Sequence, residues 1–462
     1  MVGNNSSGTT SIQYGVTRDK VIELKTLLSD SSEAIFNALT TNEFKQKCTG
    51  STLESNIYKT ISEELSDPNK QKEIKNEFPK TLIHRRNTGY AVDELLNTSV
   101  FTKSTTAINI AKLLCGSEGT LAFTTEITLQ LNDLPPSHSL VVAAHFNSIQ
   151  ESLEATVVAM KHNLYTCELM DKTILDCTKQ NREQLKNRYF IEGDPKAVLL
   201  LEIKADSDTE TDQLANKLIA DLKINNFGYA YPKLFNEESE KAAELRKAGL
   251  GLLGNIVGDN KAVACIEDTA VDLQDLPAYI KEFTAMMDSY GQEAVYYAHA
   301  GAGELHLRPI LNLKKSNDVV LFKTITTETA KLVKKYKGSF SGEHGDGIVR
   351  GEFIPQMIGA KNYELLRRVK QVFDPNNIFN KGKIVDAFPM DESLRYEIDR
   401  NEPTVNTLMD FSDSEGILKA AEKCNGSGDC RKSSDAGGMM CPSYRATLNE
   451  KDTTRARANA LR

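Results

Sequence analysis

The sequence predicts an α+β fold divided into several domains. Its 462 residues exceed what one hydrophobic core usually organises. Strand and helix patterns follow one another through the middle of the chain, which favours helices packed on one face of a sheet. Two changes of character indicate boundaries: the pair Pro135 and Pro136, and a polar, acidic stretch after Phe388. We therefore expect units at residues 1–134, 135–388 and 389–462.

Apolar periodicity predicts the elements of the first two units. VIELKTLLSD (21–30) has strand character and ends in a turn, and TLAFTTEITLQL (120–131) alternates with period two. Residues 41–80 are polar with Ile, Leu and Phe at helical spacing, so we expect a helical insertion there. The strands predicted in the second unit are LVVAAHF (140–146), AVLLLEIKA (197–205), AVYYAH (294–299) and LHLRPIL (305–311). The helices are SIQESLEATVVAMKHN (148–163), TDQLANKLIADLKIN (211–225) and DVVLFKTITTETAKLVKKY (318–336).

The composition excludes several classes of function. The net charge of −8 argues against nucleic acid as the main partner, and no run of 18 apolar residues predicts a transmembrane segment. The first residues, MVGNNSSGTT, have neither the basic nor the apolar region of a signal peptide. Eight cysteines are too few for a disulfide scaffold. We expect a cytoplasmic protein, either free or peripheral at the inner face of the membrane.

The most specific local pattern is HAGAGELHLRP, in which His299 and His306 flank a glycine-rich turn. A tight reversal lets the two imidazoles converge from adjoining strand ends. The second pattern, SGEHGDG, places Glu343 and His344 side by side; on an extended chain they point to opposite sides and can serve different centres. Two imidazoles and one carboxylate suit Zn²⁺, Mn²⁺ or Fe²⁺ with an open position for substrate, and His344 suits a base near neutral pH. On these residues alone, ordinary turn histidines remain the alternative.

Other patterns are less specific. The segments GNNSSG (3–8) and CGSEGTLAF (115–123) can bring backbone N–H groups close to a phosphate, but they also suit ordinary turns. Arg246, Lys261 and Arg308 can bind a carboxylate, with solvated surface charge as the alternative. GLGLLG (249–254) has the letters of a dinucleotide-binding loop, yet it follows a helical pattern, so we do not expect NAD as a partner.

Three cysteines lie close together near the end of the chain, in CNGSGDCR and GGMMCPSYRAT. Cys424, Cys430 and Cys441 include a Cys-Pro pair, which is common where an iron–sulfur cluster is bound. Their spacing differs from the usual C-x₂-C-x₂-C-x₃-C pattern. Iron–sulfur ligands and free thiols both remain open from these residues.

Seven motifs occur in a fixed order along residues 1 to about 385: GNNSSGTTSIQYG, RRNTGYAVDELL, CGSEGTLAFTTEITLQL, EDTAV, HAGAGELHLRP, SGEHGDG and FDPNNIFNKGKI. In this order they resemble the FAD-linked oxidases of the vanillyl-alcohol oxidase type, in the branch of D-lactate and D-2-hydroxyglutarate dehydrogenases. The resemblance implies part of a PCMH-type FAD-binding domain over 1–134. It implies an FAD-linked oxidase C-terminal domain, of ferredoxin-like α+β type, over 135–388. The start of a helical 4Fe-4S ferredoxin-type domain is implied over 389–462.

The resemblance also implies roles for individual residues. His344 matches the catalytic base, and Arg246 and Lys261 match positions that hold the substrate carboxylate. The residues that match the metal ligands are His299, His306 and Glu343. Those that match the flavin-binding loops are Gly3, Asn4, Asn5, Gly8, Gly116, Ser117, Glu118, Gly119 and Asn380. The cysteines of the tail match iron–sulfur ligands.

The implied activity is oxidation of a D-2-hydroxy acid to its 2-keto acid. FAD accepts the electrons and passes them through a 4Fe-4S cluster to a quinone or an electron-transfer protein. D-2-hydroxyglutarate and D-lactate are the two candidate substrates, and Zn²⁺ or Mn²⁺ is the expected metal. The alternatives are an FAD oxidase of glycolate and a catalytically incomplete fragment that does not hold FAD.

The sequence departs from the family pattern in four places. Asn380 is followed by Lys-Gly-Lys where the family often has Pro-Gly-Lys, and Arg308 replaces a polar amide. An arginine there favours a second substrate carboxylate. The chain begins at the GNN motif, without the phosphate-binding loop that precedes it in the family. It ends before a second set of cysteines, so we expect an internal fragment of a longer protein.

Overall fold

The computed structural model describes residues 1–179, 181–254, 256–424, 426–436 and 441–462. Its first 134 residues form a three-stranded antiparallel sheet in the order β2-β1-β5, a two-stranded ladder of β3 and β4, and a helical insertion. The elements are α1 (Ser11–Tyr14), α2 (Thr17–Lys20), β1 (Val21–Leu27), β2 (Glu33–Phe36), β3 (Ala38–Leu39), α3 (Thr41–Lys47), α4 (Leu53–Ser66), α5 (Pro68–Glu77), α6 (Val92–Leu96), β4 (Ile108–Asn109), α7 (Ala111–Leu114) and β5 (Phe123–Leu129).

The stretch at residues 41–80, where a helical insertion was predicted, contains the helices α3, α4 and α5. Each helix has a side-chain N-cap, which satisfies backbone N–H groups that the first turn leaves free. Thr40 and Glu43 form a capping box on α3, Thr52 caps α4, and Asp67 caps α5. The buried face of α4 packs against a later helix through Ile57, Ile61 and Leu65.

The second part of the chain contains an eight-stranded antiparallel sheet. Its strand order is β10-β13-β12-β7-β8-β6-β9, with β11 also paired to β13. The elements are β6 (His138–Phe146), α8 (Ile149–Ala159), β7 (Thr166–Asp171), α9 (Lys172–Lys179), α10 (Arg182–Leu185), β8 (Ala197–Ala205), α11 (Asp208–Ile224), β9 (Lys233–Phe235), α12 (Glu237–Leu253), β10 (Lys261–Ala262), β11 (Thr269–Ala270), α13 (Leu276–Ser289), β12 (Ala294–Ala298), β13 (Glu304–Leu311), α14 (Ser316–Lys335), α15 (Gly347–Arg350), α16 (Ile354–Ile358) and α17 (Ala360–Phe373).

Helices cover both faces of this sheet, so the expectation of helices on one face was wrong. Alternate residues of β6 enter two different apolar clusters: Val142 packs with α8 and α11, whereas Val141 packs with α9 and α12. The reason is visible in the sequence, because β6 and β8 are nearly continuous apolar runs. Such runs are typical of strands buried on both faces. The GLGLLG segment lies at the end of α12, as its helical context predicted.

The predicted α+β class is confirmed, and the first two units share one continuous hydrophobic core that extends from Val2 to Met390. In the last part of the chain, the described residues form the short helices α18 (Ile417–Glu422), α19 (Pro442–Thr447) and α20 (Thr454–Leu461). Residues 425 and 437–440 of the two cysteine motifs lie outside the described residues. In the described part of the chain, no helix combines the length and the apolar character needed to cross a bilayer.

Candidate active site and metal centre

The β12–β13 hairpin brings His299 and His306 together, as the spacing predicted. His306 lies on β13 opposite Tyr297 of β12, and His299 directly follows β12, so the ring centroids are 5.4 Å apart. Gly303 makes the reversal possible, because its φ is +71° and a Cβ there would lie 2.3 Å from the carbonyl oxygen of Val271. The hairpin therefore fixes two buried imidazoles at one end of the sheet.

Two carboxylates complete this cluster. Glu343 Oε1 lies 3.1 Å from His299 Nε2 and 3.3 Å from His306 Nε2. Glu304 precedes His306 by two residues on β13 and so faces the same side, with Oε1 3.5 Å from His306 Nε2. All four residues are buried, and one potential ligand atom from each lies within 4.8 Å of the others.

The unsatisfied atoms of this cluster fit a divalent cation. Neither ring nitrogen of His306 has a hydrogen-bond partner, and Glu304 Oε2 has none. Buried polar atoms without partners are costly and uncommon. A metal ion with nitrogen and oxygen ligands satisfies these atoms together, which matches the imidazole and carboxylate chemistry of Zn²⁺, Mn²⁺ and Fe²⁺ sites.

Arg85 is the cation that the sequence analysis missed. Its guanidinium is fully buried, and Nη1 lies 2.9 Å from Glu304 Oε1 and 3.3 Å from Glu343 Oε1. Its other nitrogens donate to Gly8 O and Ser11 Oγ. Arg85 thereby joins the N-terminal loop to the carboxylates of the cluster. The RRNTGY motif contains this residue, but an arginine in a loop does not reveal its partners.

Two further acids lie behind the histidines, each with its own arginine. Glu168 of β7 accepts a hydrogen bond from His299 Nδ1 at 2.9 Å and forms an ion pair with Arg246. Glu267 contacts Arg308 and lies 3.4 Å from His306 Nδ1. The structure thus places Arg246 and Arg308 beside the cluster, where each contacts a glutamate that lies next to one of the histidines. Acids of this kind orient metal-binding histidines.

The electrostatics of the cluster favour ionised carboxylates. Burial opposes the charge on Glu343, but His299, His306 and Arg85 hold the pKa of its carboxyl well below the usual range. Burial also opposes the charge on His306, yet the nearby Glu304 and Glu343 carboxylates raise its pKa to about 9. Glu343 is therefore ionised, and the positive charges that face it are those of Arg85 and of protonated His306.

His344 lies at the exposed side of the same cluster. Its side chain is 43% exposed, its ring centroid is 5.0 Å from that of His306, and its Nε2 is 3.8 Å from Glu343 Oε1. Burial of the ring, together with the charge of His306, lowers its pKa. Glu343 groups with His299 and His306, whereas His344 groups with His306 and Glu267, so the expectation that Glu343 and His344 serve different centres stays a prediction.

Asp268 determines how that segment turns. Its Oδ2 accepts hydrogen bonds from Ser341 Oγ and from the backbone N–H groups of residues 342, 343 and 344, at 2.7–3.1 Å. Its Oδ1 contacts Arg350. Asp268 is fully buried and has a φ of +60°. The EDTAV motif contains this aspartate, although nothing in the sequence indicates that it binds the later loop.

The predicted flavin-binding residues lie next to one another and next to His344. The N–H of Glu118 donates to Gly3 O at 2.7 Å, and Asn380 Nδ2 donates to Glu118 O at 2.6 Å. Asn4 Nδ2 donates to His344 O at 2.6 Å. Asn5 is completely buried and its Nδ2 has no partner, which fits a ligand that accepts a hydrogen bond. Of the other predicted positions, Gly116 donates to Val2 O, Ser117 and Gly119 flank Glu118 in the same loop, and Gly8 contacts Arg85 instead.

The structure does not bring Lys261 to the cluster. Lys261 lies on β10, its Nζ donates to Ile256 O, and nearby charges include Glu422 and Asp259. Among the described residues, no contact joins it to the histidines or to Glu343. Its assignment to the substrate carboxylate stays a prediction.

The three clustered cysteines are separate thiols in this structure. Cys424 and Cys430 line one cavity of about 570 Å³ together with residues of α18 and α20. Cys441 is buried and its Sγ donates to Asp452 O at 3.4 Å. Within the described ranges, no metal-type group of side chains includes a cysteine.

The fold is shared with the solved structure of an oxidase. 4-Ethylphenol oxidase from Gulosibacter chungangensis superposes with a TM-score of 0.52 at 12% identity, covering 84% of this chain and 69% of that one. The description "FAD linked oxidases, C-terminal domain" matches residues 135–384. The chain therefore belongs to the family of FAD-linked oxidases, which confirms the family predicted from the seven motifs.

Curated relatives include dehydrogenases of 2-hydroxy acids. The D-2-hydroxyglutarate dehydrogenases of Pseudomonas putida and Escherichia coli are 29% and 30% identical, and the alignments cover 100% of this chain but 45% of each relative. D-lactate dehydrogenase of Archaeoglobus fulgidus is 27% identical over 61% of this chain and 59% of that protein. The chain thus spans less than half the length of the first two relatives.

Proposed function

We propose that this chain is the catalytic part of an FAD-dependent dehydrogenase that oxidises D-2-hydroxyglutarate to the 2-keto acid. One observation carries the proposal: the buried cluster of His299, His306 and Glu343 lies against the half-exposed ring of His344, beside the predicted flavin-binding residues. The names of the relatives in Pseudomonas putida and Escherichia coli support the substrate.

His344 is the proposed general base. Its lowered pKa favours the neutral imidazole at pH 7, so Nε2 can accept the proton of the substrate's C2 hydroxyl. Asn4 and Asp268 hold the backbone of this residue and thereby fix the position of the ring. General base catalysis of this kind contributes about 10²–10⁴ in rate.

Arg246 and Arg308 are the proposed carboxylate-binding residues. Each guanidinium contacts a buried glutamate, and Nε of Arg246 is buried without a hydrogen-bond partner. An unpaired N–H beside the cluster favours a substrate carboxylate, because arginine donates several hydrogen bonds in a fixed fork. Two such arginines favour a dicarboxylic over a monocarboxylic hydroxy acid.

Two bound groups supply the remaining chemistry. The loops at residues 3–8 and 116–119 and Asn380 would hold FAD, and the bound flavin would supply a hydride acceptor for the oxidation at C2 of the substrate. A divalent ion, Zn²⁺ or Mn²⁺, held by His299, His306 and Glu343, provides Lewis acidity for the hydroxyl.

A redox route through iron and sulfur is a further part of the proposal. Cys424 and Cys430 line a common cavity, and Cys441 is buried near them in sequence. These are three of the four thiolates that a 4Fe-4S cluster uses. Iron and acid-labile sulfide in the purified protein support this assignment, and their absence contradicts it. The proposed electron acceptor is then a quinone or an electron-transfer protein. The proposed location of the protein is the cytoplasm.

The visible absorption spectrum tests the main proposal. The purified protein is loaded with FAD and Zn²⁺ or Mn²⁺, and D-2-hydroxyglutarate is added without oxygen. We expect the flavin band to bleach, and to bleach at least about 100-fold more slowly in His344→Gln. His162→Gln is the matched control, because His162 pairs with Asp221 away from the cluster. Bleaching by D-lactate alone would reassign the substrate, and bleaching by neither acid contradicts the proposal.

A further inference from the structure

The metal centre is lined by four buried ligand-type side chains, and Glu304 is the one that no motif assigned. Glu304 is completely buried, and β13 directs it to the same side as His306. Its Oε1 lies 3.5 Å from His306 Nε2, and it belongs to the group whose ligand atoms lie within 4.8 Å of one another.

The arginines around the cluster are unequally divided between its outer and its inner acids. The outer acids Glu168 and Glu267 each have their own arginine. Glu304 and Glu343 instead share the single guanidinium of Arg85. Glu343 also lies 3.1 Å from His299 Nε2 and 3.3 Å from His306 Nε2, and imidazoles bind a metal in their neutral form, so a divalent ion would supply the second positive charge that the two carboxylates then need.

The free atom of Glu304 leads to the same conclusion. Oε1 faces Arg85, whereas Oε2 is buried and has no hydrogen-bond partner. A Cβ at position 342 would lie 2.0 Å from Glu304 Oε2, so Gly342 provides the space in which this oxygen lies. A buried carboxylate oxygen without a donor is suited to bind a metal ion.

We propose that Glu304 is a fourth protein ligand and that the centre is a Mn²⁺ site with two histidines and two glutamates. This rests on the proposed function, because the metal is itself part of that proposal. Four protein ligands fill the tetrahedral shell that Zn²⁺ prefers and leave no position for substrate. Mn²⁺ prefers six ligands and more carboxylate, so two positions stay open for the hydroxyl and carboxylate oxygens of a 2-hydroxy acid.

Metal titration tests this assignment. The protein is stripped with a chelator, and Mn²⁺ and Zn²⁺ are titrated by calorimetry, with free Mn²⁺ followed by electron paramagnetic resonance. We expect Glu304→Gln to weaken Mn²⁺ binding by more than the 10–100-fold that loss of an outer partner causes, and to weaken Zn²⁺ binding less. Glu202→Gln on β8 is the matched control, because this half-buried glutamate bonds Ser139 and Thr166 instead.

A second measurement needs no variant and covers the case in which Glu304→Gln fails to fold. Crystals of the unmodified protein soaked in Mn²⁺ are measured at the manganese absorption edge. A carboxylate oxygen of Glu304 within bonding distance of the anomalous peak supports the inference. Glu304 bound only to Arg85, with Mn²⁺ on the other three residues, overturns it and leaves the proposed function standing. Protein that binds neither Mn²⁺ nor Zn²⁺ overturns both.

Discussion

At the scale of single residues, ion pairs in low-dielectric surroundings hold the candidate site together. Arg85, Arg308 and Arg350 each face a buried acid, and these acids lie beside His306 or His344. Removing one member of such a pair leaves the other charge uncompensated, which costs about 3–5 kcal/mol. The site is therefore sensitive to substitutions that do not touch substrate.

Asp268→Asn is expected to lower the free energy of unfolding by about 3–5 kcal/mol, since Arg350 loses its counterion. The neutral amide oxygen also accepts hydrogen bonds more weakly than a carboxylate oxygen, so the loop with Glu343 and His344 is held less firmly. Urea denaturation measures the first effect, and the decrease in kcat measures the second. Asp206→Asn is the control, because Asp206 is exposed, and we expect it to change stability by at most about 0.5 kcal/mol. Equal effects of the two variants would contradict the role given to Asp268.

Gly303→Ala tests the hairpin turn. The left-handed backbone alone costs an alanine about 1–2 kcal/mol. Gly291→Ala isolates this cost, because Gly291 has a φ of +62° and open space around its Cβ position. At Gly303 the methyl group also overlaps Val271 O, so we expect about 1–3 kcal/mol more and a loss of metal binding. Thermal unfolding and metal content check both variants, and similar results for the two glycines would rule out this account.

The sequence could predict part of the site and not the rest. His299, His306, Glu343 and His344 lie in two glycine-rich motifs whose residue types indicate metal and base chemistry. Glu304 was predictable in principle, because alternation on a strand places it beside His306. Arg85 and Asp268 were not, since each acts on segments more than 70 residues away, and single-sequence patterns contain no information on such pairing.

At the scale of elements, helices and strands with a long apolar pattern could be predicted from the sequence, whereas a short strand with polar residues could not. β1, β6, β8, α11 and α14 lie where their patterns placed them. β7 (TCELMD) was missed, because a six-residue strand with two acids has no clear alternation of apolar residues. In the structure β7 is nevertheless a core strand, because all six of its residues are buried, including Asp171 at its end. The continuous apolar runs of β6 and β8 indicate that helices cover both faces of the sheet.

Asp171 gives the sheet a pH-dependent stability. Burial raises the pKa of its carboxyl to about 6, against hydrogen bonds from the N–H groups of Ile174 and Tyr296. The native state therefore binds a proton that the unfolded state, with an ordinary pKa of 3.8, has already released. The stabilising contribution is present below pH 3.8 and is lost as the pH rises through about 6.

The quantity to follow is the difference between two unfolding free energies, that of the unmodified protein minus that of Asp171→Asn. We expect this difference to fall by about 2 kcal/mol as the pH rises from about 4.5 to 7.5. Urea denaturation across this range measures it, and Asp206→Asn should give a difference that does not depend on pH. A pH-independent difference for Asp171→Asn would show that the carboxyl keeps its ordinary pKa.

At the scale of the whole molecule, the site lies where distant segments of the chain meet. The segment at 85–87 contacts both the N-terminal loop and the loop of SGEHGDG: Asn87 N donates to Ser341 O, and Asn87 Nδ2 donates to Asn4 O. Ser7 Oγ donates to Glu343 at 3.2 Å. The residues predicted to bind flavin and those predicted to bind a metal are therefore in direct contact, in keeping with the single hydrophobic core that the first two predicted units share.

Arg85→Met tests this coupling, because Arg85 bonds Gly8 and Ser11 on one side and Glu304 and Glu343 on the other. Methionine keeps much of the side-chain volume but leaves two buried carboxylates without their shared cation. We expect metal-free Arg85→Met to lose about 3–5 kcal/mol of unfolding free energy.

Added Mn²⁺ should restore a larger part of the stability in this variant than in the unmodified protein, since it supplies the missing positive charge. Arg367→Met is the control, because Arg367 is half exposed and pairs with Asp386 at the surface, where a salt bridge contributes about 0–1 kcal/mol. Urea denaturation with and without Mn²⁺ measures all three proteins. An Arg85→Met variant as stable as Arg367→Met would mean that the N-terminal loop and the metal centre fold independently, and that the shared guanidinium does not hold them together.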